Sequence, residues 1–248
     1  MSNETTDILL RHRSIRQFSP EGVSDEQLAR IVECGLRASN TANMQLYSVI
    51  ATRQEPLRSE LCKLNFGQCP TAPLWLTICT DIHRYHRYCE MSGCDQPYSN
   101  LLWFMTAMVD ASLCAQNICV AAESEGLGFC YLGTVMYNTR EIASLLQCPQ
   151  GVIPVVTIAM GHPAEEGRYS ERLGCDAVLH NEVYHDPSDD ELAQSHEVRD
   201  NDPFNRRMVE ENKTKNYCEI FTNIRYPRAT NERVSAELIS LLKDEGII

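Results

Sequence analysis

The stretch at residues 99–125, SNLLWFMTAMVDASLCAQNICVAAESE, carries apolar side chains around nearly the whole circumference of a helix. Such a pattern indicates either a membrane span or a helix buried on all sides in a protein core. Asp110, Gln116 and Asn117 fall in mid-span, where polar groups are costly in lipid but can be hydrogen bonded in a soluble core. We therefore predict a long central core helix. It ends at the Gly-Leu-Gly of 126–128, because glycine readily takes the left-handed cap conformation.

Four other runs have the β-branched and aromatic composition of strands, at residues 46–52, 74–80, 129–133 and 152–161. The last run is uninterrupted enough to be a fully buried central strand. Helices are predicted between the strands. A capping box at 24–27 begins one, 57–64 forms another, and Thr139 caps a third that ends near Leu146. This alternation indicates an α/β sandwich.

The last third of the chain has a weaker pattern. After Pro163 we predict a polar loop, a strand near 177–179, then acidic and basic helices and a C-terminal helix at about 231–245. Residues 185–233, rich in Asp, Asn, Arg and Lys, are either a mobile excursion or a plain solvated surface. No linker-like tract interrupts the 248 residues, so we predict one compact domain with appendages.

Charge and cysteine content restrict the partners and the location. The formal net charge of −12 argues against a nucleic-acid partner, because phosphate-dominated binding needs a basic surface. The N-terminal MSNETTDILL lacks the pattern of a secretory signal, so we expect a cytoplasmic protein with no membrane partner.

Twelve cysteines without any CxxC spacing are expected to be reduced and mostly buried. The alternative is a metal site formed by Cys62, Cys69, Cys89 and Cys94.

Common catalytic motifs are missing from the sequence. It contains no G-x-S-x-G, no P-loop and no G-x-G-x-x-G between a strand and a helix, so acyl transfer, nucleotide hydrolysis and a Rossmann site are not predicted. The spacings of a metallohydrolase are missing too. We expect His83 and His86 to lie in a surface loop.

A basic cluster stands at residues 11–18, RHRSIRQF, in this acidic chain. Guanidinium forks and a serine hydroxyl suit the oxygens of one phosphate group. The candidate residues are Arg11, His12, Arg13, Ser14 and Arg16. The alternative is a solvated basic turn that pairs with nearby acids.

A second polar cluster, SNTANMQ at 39–45, follows the first long helix. Its small hydroxyl and amide side chains offer both donors and acceptors, as a heteroaromatic ring with mixed edges requires. An ordinary helix C-cap and loop would explain the same composition.

Four segments in order resemble the FMN-dependent nitroreductase family, and more closely its larger NADPH-dependent flavin and nitro reductase branch. They are HRSIRQF (12–18), RASNTANMQ (37–45), AQNICVAAESEGLGFCYLG (115–133) and MGHPAEEGRYSERL (160–173). The resemblance covers about residues 5–185. It implies an α+β fold with a mixed sheet flanked by helices, a long buried central helix and an extended C-terminal segment. Residues 1–185 would then be the FMN-binding core, and 186–248 an excursion and helix that complete the same domain.

The resemblance also implies a homodimer with one FMN in each of two clefts at the subunit interface. The ribityl phosphate would be held by His12, Ser14 and Arg16, with Arg172 approaching from the later loop. Asn40, Thr41 and Asn43 would lie near the flavin of the partner subunit, and Gln68 near the ring. The backbone along the isoalloxazine would be that of Tyr131, Leu132, Gly133 and Thr134.

The implied function is electron transfer from NADPH or NADH through FMN to a flat small-molecule acceptor, a nitroaromatic, quinone or flavin, with ping-pong kinetics. No catalytic side chain is assigned, because hydride transfer takes place at the flavin N5.

Two positions depart from the family pattern: Ser170 replaces a frequent lysine, and Thr134 replaces a second glycine and narrows the space beside the ring. Alternatives are a flavin-binding carrier or sensor without efficient turnover, and a Cys-rich metal or redox module. A basic group in the excursion, Arg206, Arg207, Lys213 and Lys215, is a candidate for the NADPH 2′-phosphate.

Overall fold

The computed structural model describes residues 3–95 and 98–248. The chain divides into two compact units, one formed by Met1–Arg168 with Ala236–Ile248 and the other by Tyr169–Ser235. The sequence places its domain boundary at residue 185, whereas the first unit ends at Arg168. The extent of the FMN-binding core stays a prediction.

The first unit contains a four-stranded sheet with the strand order β1-β2-β4-β3. Its strands are β1 (Tyr47–Thr52), β2 (Leu74–Asp81), β3 (Gly128–Leu132) and β4 (Val152–Gly161). The four predicted strands are confirmed. All three pairings are antiparallel, from Tyr47 opposite Thr80 to Leu132 opposite Thr157. Every residue of the two central strands is buried, because helices cover both faces of the sheet.

Among the described residues of this unit, six α-helices accompany the sheet. They are α1 (Glu4–Arg11), α2 (Asp25–Leu36), α3 (Leu57–Leu64), α4 (His83–Met91), α5 (Leu101–Ser124) and α6 (Thr139–Leu145). The side chain of Ser24 caps α2 by accepting from the backbone N–H of Gln27, as the sequence predicts.

Two local predictions are wrong. His83 and His86 lie in α4 rather than in a loop, since the carboxylate of Asp81 accepts from the backbone N–H of Arg84 and supports the first turn of a helix. Thr139 does not cap α6. It is the first helical residue, and its hydroxyl donates to the carbonyl of Val135 in the preceding 3₁₀ turn.

The long central helix is confirmed as α5, and Gly126 follows it at a φ of 80°. By length and composition α5 is apolar enough to cross a membrane, a property that core helices share. It packs into the main core with side chains such as Ala111, Ala115 and Ile118. The prediction of burial on all sides is wrong for the single chain. Four large apolar residues form an exposed stripe on α5: Leu102, Met105, Val109 and Leu113.

The second unit is helical. It contains α7 (Asp189–Asp200), α8 (Pro203–Asn212), α9 (Tyr217–Glu219) and a π-helical turn at Ile220–Arg225; the C-terminal α10 (Arg228–Asp244) begins in it and ends in the first unit. The predicted strand near 177–179 is wrong. Cys175–Ala177 is a 3₁₀ turn, and the N–H of Leu179 donates to the carbonyl of Cys175, which closes a helical turn instead of pairing with a strand.

Candidate FMN site

The basic segment at 12–18 follows the end of α1 and has no helix or strand structure before the isolated bridge at Phe18. The backbone N–H of Ile15 donates to the carbonyl of Phe129 in β3 at 2.9 Å. Gly128 permits this close packing, because a Cβ at that position would lie 2.6 Å from a side-chain carbon of Ile15. The segment therefore lies directly against the start of β3. This packing fixes the backbone that carries its polar residues.

His12 is held on two sides. Its Nδ1 lies 2.7 Å from Oε1 of Glu123 in the last turn of α5. Its ring stacks on Phe129 with 4.9 Å between the ring centroids. Because Nδ1 faces the carboxylate, Nε2 is the nitrogen left to meet a ligand.

Arg16 and Ser14 form the outer part of the segment. Ser14 is half-buried and Arg16 is exposed. Within the residues that the structure describes, the guanidinium of Arg16 forms no ion pair. A hydrogen bond from Cys69, together with the positive charge of Arg16, lowers the pKa of the Cys130 thiol to about 7. The exposed guanidinium of Arg16 therefore remains available to an anion.

The loop after β4 closes over the same segment. The N–H groups of Arg16 and Gln17 both donate to Oε1 of Glu165, at 2.6 and 3.0 Å. Gly167 approaches the segment from the other side at a φ of 70°. A Cβ on it would lie 2.8 Å from a side-chain carbon of Ile15 and 3.1 Å from the carbonyl oxygen of Ser14. Both position and conformation require glycine there.

The loop that carries Gln68 is fastened to the exit of β3. The hydroxyl of Thr134 donates to Oδ1 of the fully buried Asn65 at 2.8 Å, and the side chain of Asn138 donates to the carbonyl of Leu64 at 2.7 Å. The Thr134 hydroxyl thus has a structural partner. Gln68 is half-buried, and its side-chain amide has no hydrogen bond to any described residue.

The polar loop at 39–45 is attached to the middle of α5. The buried carboxylate of Asp110 accepts from the N–H of Thr41 at 3.0 Å, from its hydroxyl at 3.2 Å, and from the N–H of Leu46 at 3.4 Å. Ala42 and Asn43 have φ values of 49° and 57°, a left-handed conformation that costs energy in residues other than glycine. This strain makes the loop a functional candidate.

The structure brings only part of the predicted site together within one chain. Ile15 of the basic segment, Cys69 beside Gln68, and Leu132 of β3 share one buried cluster. The loop at 39–45 lies elsewhere. Its anchor Asp110 and the His12 anchor Glu123 are thirteen residues apart on α5, about 20 Å along a helix axis. Arg172 belongs to the second unit, so its predicted role stays untested.

Several supporting residues were missed by the sequence reasoning: Asn65, Glu123 and Glu165. Glu123 had a detectable signal, because an acid in the last turn of a helix faces the negative end of the dipole and needs a compensating partner. Glu165 lies inside a quoted motif, but its hydrogen bonds to backbone N–H groups depend on tertiary structure.

The residues present fit FMN. Arg16, Ser14 and the outer nitrogen of His12 supply donors for a phosphate. Gly133 leaves room for a planar ring beside the backbone, because a Cβ there would meet no atom within 4 Å. The free amide of Gln68 offers both a donor and an acceptor to a heteroaromatic edge. Among the described residues no group of three or more His, Cys, Asp or Glu side chains could hold a metal ion.

Comparisons with known proteins identify the class of this protein. The nitroreductase family matches residues 9–162. The FMN reductase (NADPH) of Bacillus subtilis strain 168 is 33% identical over 193 residues, 76% of this chain and 77% of the relative. An oxygen-insensitive NADPH nitroreductase of Salmonella typhimurium is 31% identical over 191 residues, with the same two coverages. The structure of the NfrA1 nitroreductase from B. subtilis superimposes with a TM-score of 0.85 at 28% identity, covering 98% of this chain and 99% of that one.

This chain belongs to the nitroreductase family. The predicted resemblance and the predicted α+β class are confirmed. The prediction of an FMN-dependent oxidoreductase with NAD(P)H as electron donor is confirmed at the level of the enzyme class.

Proposed function

We propose that each chain binds one FMN through the segment at 12–16 and passes electrons from NADPH or NADH to a flat acceptor in two half-reactions. The observation that carries this proposal is the docking of the segment on β3. Arg16, whose guanidinium forms no ion pair with any described residue, directly follows Ile15, which is hydrogen bonded to β3. The exit of that strand, Tyr131 to Thr134, offers open space beside Gly133. When bound, FMN supplies the hydride chemistry at N5.

The chain's own residues bind and orient. Arg16 and Ser14 would bind the phosphate with charge-assisted hydrogen bonds. His12 would contact it through Nε2, because Glu123 fixes the orientation of the ring. Arg172 is proposed as a further phosphate contact. Leu132 is buried, whereas Tyr131 and Gly133 are exposed. The backbone from Tyr131 to Thr134 would therefore lie along the ring, and Gln68 would meet its polar edge.

A homodimer is proposed because one chain does not complete the site. The anchors of the 39–45 loop and of His12, Asp110 and Glu123, are about 20 Å apart along α5. Asn40, Thr41 and Asn43 are therefore proposed to meet the flavin that the partner chain binds. Oδ1 of Asn40 is buried and has no hydrogen-bond partner within the described residues. An unsatisfied buried acceptor costs about 1–3 kcal/mol of free energy, and a hydrogen-bond donor that binds there would remove this cost. The apolar stripe on α5 offers a surface for a second copy.

Light scattering on Val109→Glu tests the dimer. A buried charge at a subunit interface is strongly unfavourable, so we expect the variant to be monomeric and to lose FMN. Leu57→Glu, at an exposed leucine of α3, is the matched control and should stay dimeric. A wild-type monomer that retains FMN would contradict the proposal.

The acceptor is proposed to be a nitroaromatic, a quinone or a free flavin, since each is flat and can stack. The name of the B. subtilis relative supports NADPH as donor and a flavin acceptor, and that of the S. typhimurium relative supports nitro compounds. Steady-state rates with a panel of acceptors under anaerobic turnover would rank them. Parallel double-reciprocal plots are expected for ping-pong kinetics, and intersecting lines would exclude that mechanism.

The basic group of the second unit remains a hypothesis for NADPH selection. Arg207 forms an ion pair with Glu211, and Arg206 donates to the side chain of Asn201. Both guanidiniums thus have local partners. If they also recognise the 2′-phosphate, Arg206→Ala and Arg207→Ala should lower the ratio of NADPH to NADH efficiency, and an unchanged ratio would remove them from that role.

A cytoplasmic location is part of the proposal. All twelve cysteines are free thiols, a state typical of a reducing compartment. Several are buried, and burial raises the pKa of Cys114 and of Cys119, so these thiols are expected to be unreactive. A fluorescent fusion seen only in the cytoplasm would agree with this proposal, whereas export would contradict it.

The decisive experiment is anaerobic titration of the purified yellow protein with NADPH. Bleaching of the visible flavin band, with recovery of the colour on addition of an acceptor, is expected for the proposed reductase. Flavin colour that NADPH does not bleach would favour the carrier or sensor. Bound metal without flavin would favour the Cys-rich module.

A further inference from the structure

A single carboxylate oxygen holds two consecutive amides of the basic segment. Oε1 of Glu165 lies 2.6 Å from the N–H nitrogen of Arg16 and 3.0 Å from that of Gln17. Both bonds are charge-assisted, a class about twice as strong as neutral hydrogen bonds. Two neighbouring N–H groups converge on one anion only when the backbone between them is specifically bent. The contact therefore fixes the conformation at Arg16.

The backbone pairing of the loop after β4 does not reach the N–H group of Arg16. Its backbone pairs with the segment at later positions: the N–H of Ala164 donates to the carbonyl of Gln17, and the N–H of Ser19 donates to the carbonyl of His162. An isolated bridge joins Phe18 to Pro163. These contacts hold residues 17–19. On the other side, the N–H of Ile15 donates to Phe129, so Arg16 lies between two residues with backbone pairing, and its own N–H group donates to the carboxylate of Glu165.

Glu165 contacts the backbone of Arg16 and leaves its side chain free. The guanidinium forms no ion pair with any described residue, although an exposed carboxylate bonds its own N–H group. A negative charge close to a phosphate site is unfavourable in itself. Its presence is explained if the hydrogen-bond geometry it imposes outweighs the repulsion.

We propose that Glu165 is a positioning residue for phosphate recognition, which acts by holding the N–H groups of Arg16 and Gln17 so that the Arg16 guanidinium and the Ser14 hydroxyl converge on one anion. This inference rests on the proposed FMN site. It assigns Glu165 no contact with the flavin. It predicts that loss of the carboxylate weakens binding of the phosphate and leaves binding of the ring unchanged.

The test compares FMN with riboflavin, which has the same ring and lacks the phosphate. Dissociation constants are measured by quenching of flavin fluorescence on apoprotein of the wild type, Glu165→Ala and Glu165→Gln. The glutamine is uncharged, but its Oε1 can still accept both N–H bonds. Glu166→Ala is the matched control, because Glu166 is the exposed neighbour and forms no hydrogen bond or ion pair with any described residue. Thermal unfolding of each apoprotein reports on the fold.

We expect Glu165→Ala to weaken FMN about tenfold more than it weakens riboflavin, while Glu165→Gln and Glu166→Ala stay close to the wild-type ratio. An equal loss for both ligands in Glu165→Ala would overturn the inference and show a general role in stability. Tighter FMN binding by both Glu165 variants would also overturn it, because repulsion would then dominate. A wild type that does not prefer FMN to riboflavin would reject the phosphate site itself, and with it the proposed function.

Discussion

Nδ1 of His12 and Oε1 of Glu123 meet at 2.7 Å, although the two residues are 111 positions apart in the chain. The pair joins the start of the basic segment to the last turn of α5. It compensates an acid at the negative end of a helix, and it decides which nitrogen of the imidazole faces outward.

Glu123→Ala should therefore affect ligand binding more than stability. The side chains of His12 and Glu123 are 29% and 16% exposed, so the contact contributes at most about 1 kcal/mol to folding. The freed imidazole loses its orientation, and we expect FMN affinity to fall about threefold to tenfold. Fluorescence titration measures the affinity and urea unfolding the stability. Glu33→Ala, at an exposed acid of α2, is the control. A large stability loss with unchanged FMN binding would contradict this role.

Asp110→Ala is expected to destabilise the first unit by about 3 kcal/mol, because three donors of the 41–46 loop lose their acceptor. Asp110→Asn should cost less, since its Oδ1 can still accept both bonds from Thr41. Urea unfolding checks both variants. Ser112→Ala, at an exposed position on the same helix, is the control. A loss below about 1 kcal/mol in Asp110→Ala would show that water replaces the carboxylate.

Thr134→Val should lower the free energy of unfolding by about 1–2 kcal/mol, because it leaves Oδ1 of the buried Asn65 without its donor. Thr134→Ser keeps the hydroxyl and is expected to retain most of that stability. Chemical denaturation of the two variants gives the comparison. Equal stabilities would mean that the hydroxyl is not the stabilising group.

Gly167→Ala is expected to cost more than about 1 kcal/mol and to weaken FMN binding. The added Cβ would combine a strained φ of 70° with contacts at 2.8 and 3.1 Å to Ile15 and Ser14, so the loop must move away from the basic segment. Gly22→Ala is the control, because a Cβ at Gly22 meets nothing within 4 Å. Thermal unfolding and FMN titration measure the two effects. Unchanged values for Gly167→Ala would contradict the tight packing of this loop.

The Arg30–Glu125 contact should make stability depend on pH. A hydrogen bond from Arg30 lowers the pKa of Glu125 below its ordinary value of 4.5. A carboxyl whose pKa is lowered by folding stabilises the protein above its unfolded pKa, and this contribution is lost as the pH falls through the folded value. Arg30→Ala should therefore be slightly less stable than the wild type at about pH 7, and the difference should shrink as the pH falls below 4.5 and through the lowered pKa of Glu125. A difference that persists in acid would exclude this origin.

Local pattern was sufficient to predict the strands and most of the helices. The 152–161 run and the 57–64 helix match the structure residue for residue, because a buried strand and a short amphipathic helix depend on short-range composition. The prediction near 177–179 failed because an apolar triplet forms a strand only where another strand can pair with it. Thr139 failed as a cap because the preceding turn runs directly into α6 and supplies the Val135 carbonyl to its hydroxyl.

The candidate site was only partly predictable. The chemistry of RHRSIRQF identifies an anion site on its own, since guanidinium and hydroxyl donors suit phosphate wherever they lie. Family resemblance was needed to connect that site to a flavin. The roles proposed for individual residues, including Arg172, stay predictions.

The sequence by itself determined the class of the protein, the strands, the long apolar helix and the segment suited to an anion. The strands, the helix and the anion-binding segment follow from composition and spacing over a few neighbouring residues, whereas the class of the protein followed from the resemblance of four segments to a known family. Only the tertiary structure decided that Glu123 and Glu165 hold that segment, that Asp110 anchors the second polar loop about 20 Å away along α5, and that one face of α5 is exposed. Hydrogen bonds between distant residues depend on how the helix packs across the sheet, and no local pattern encodes that packing.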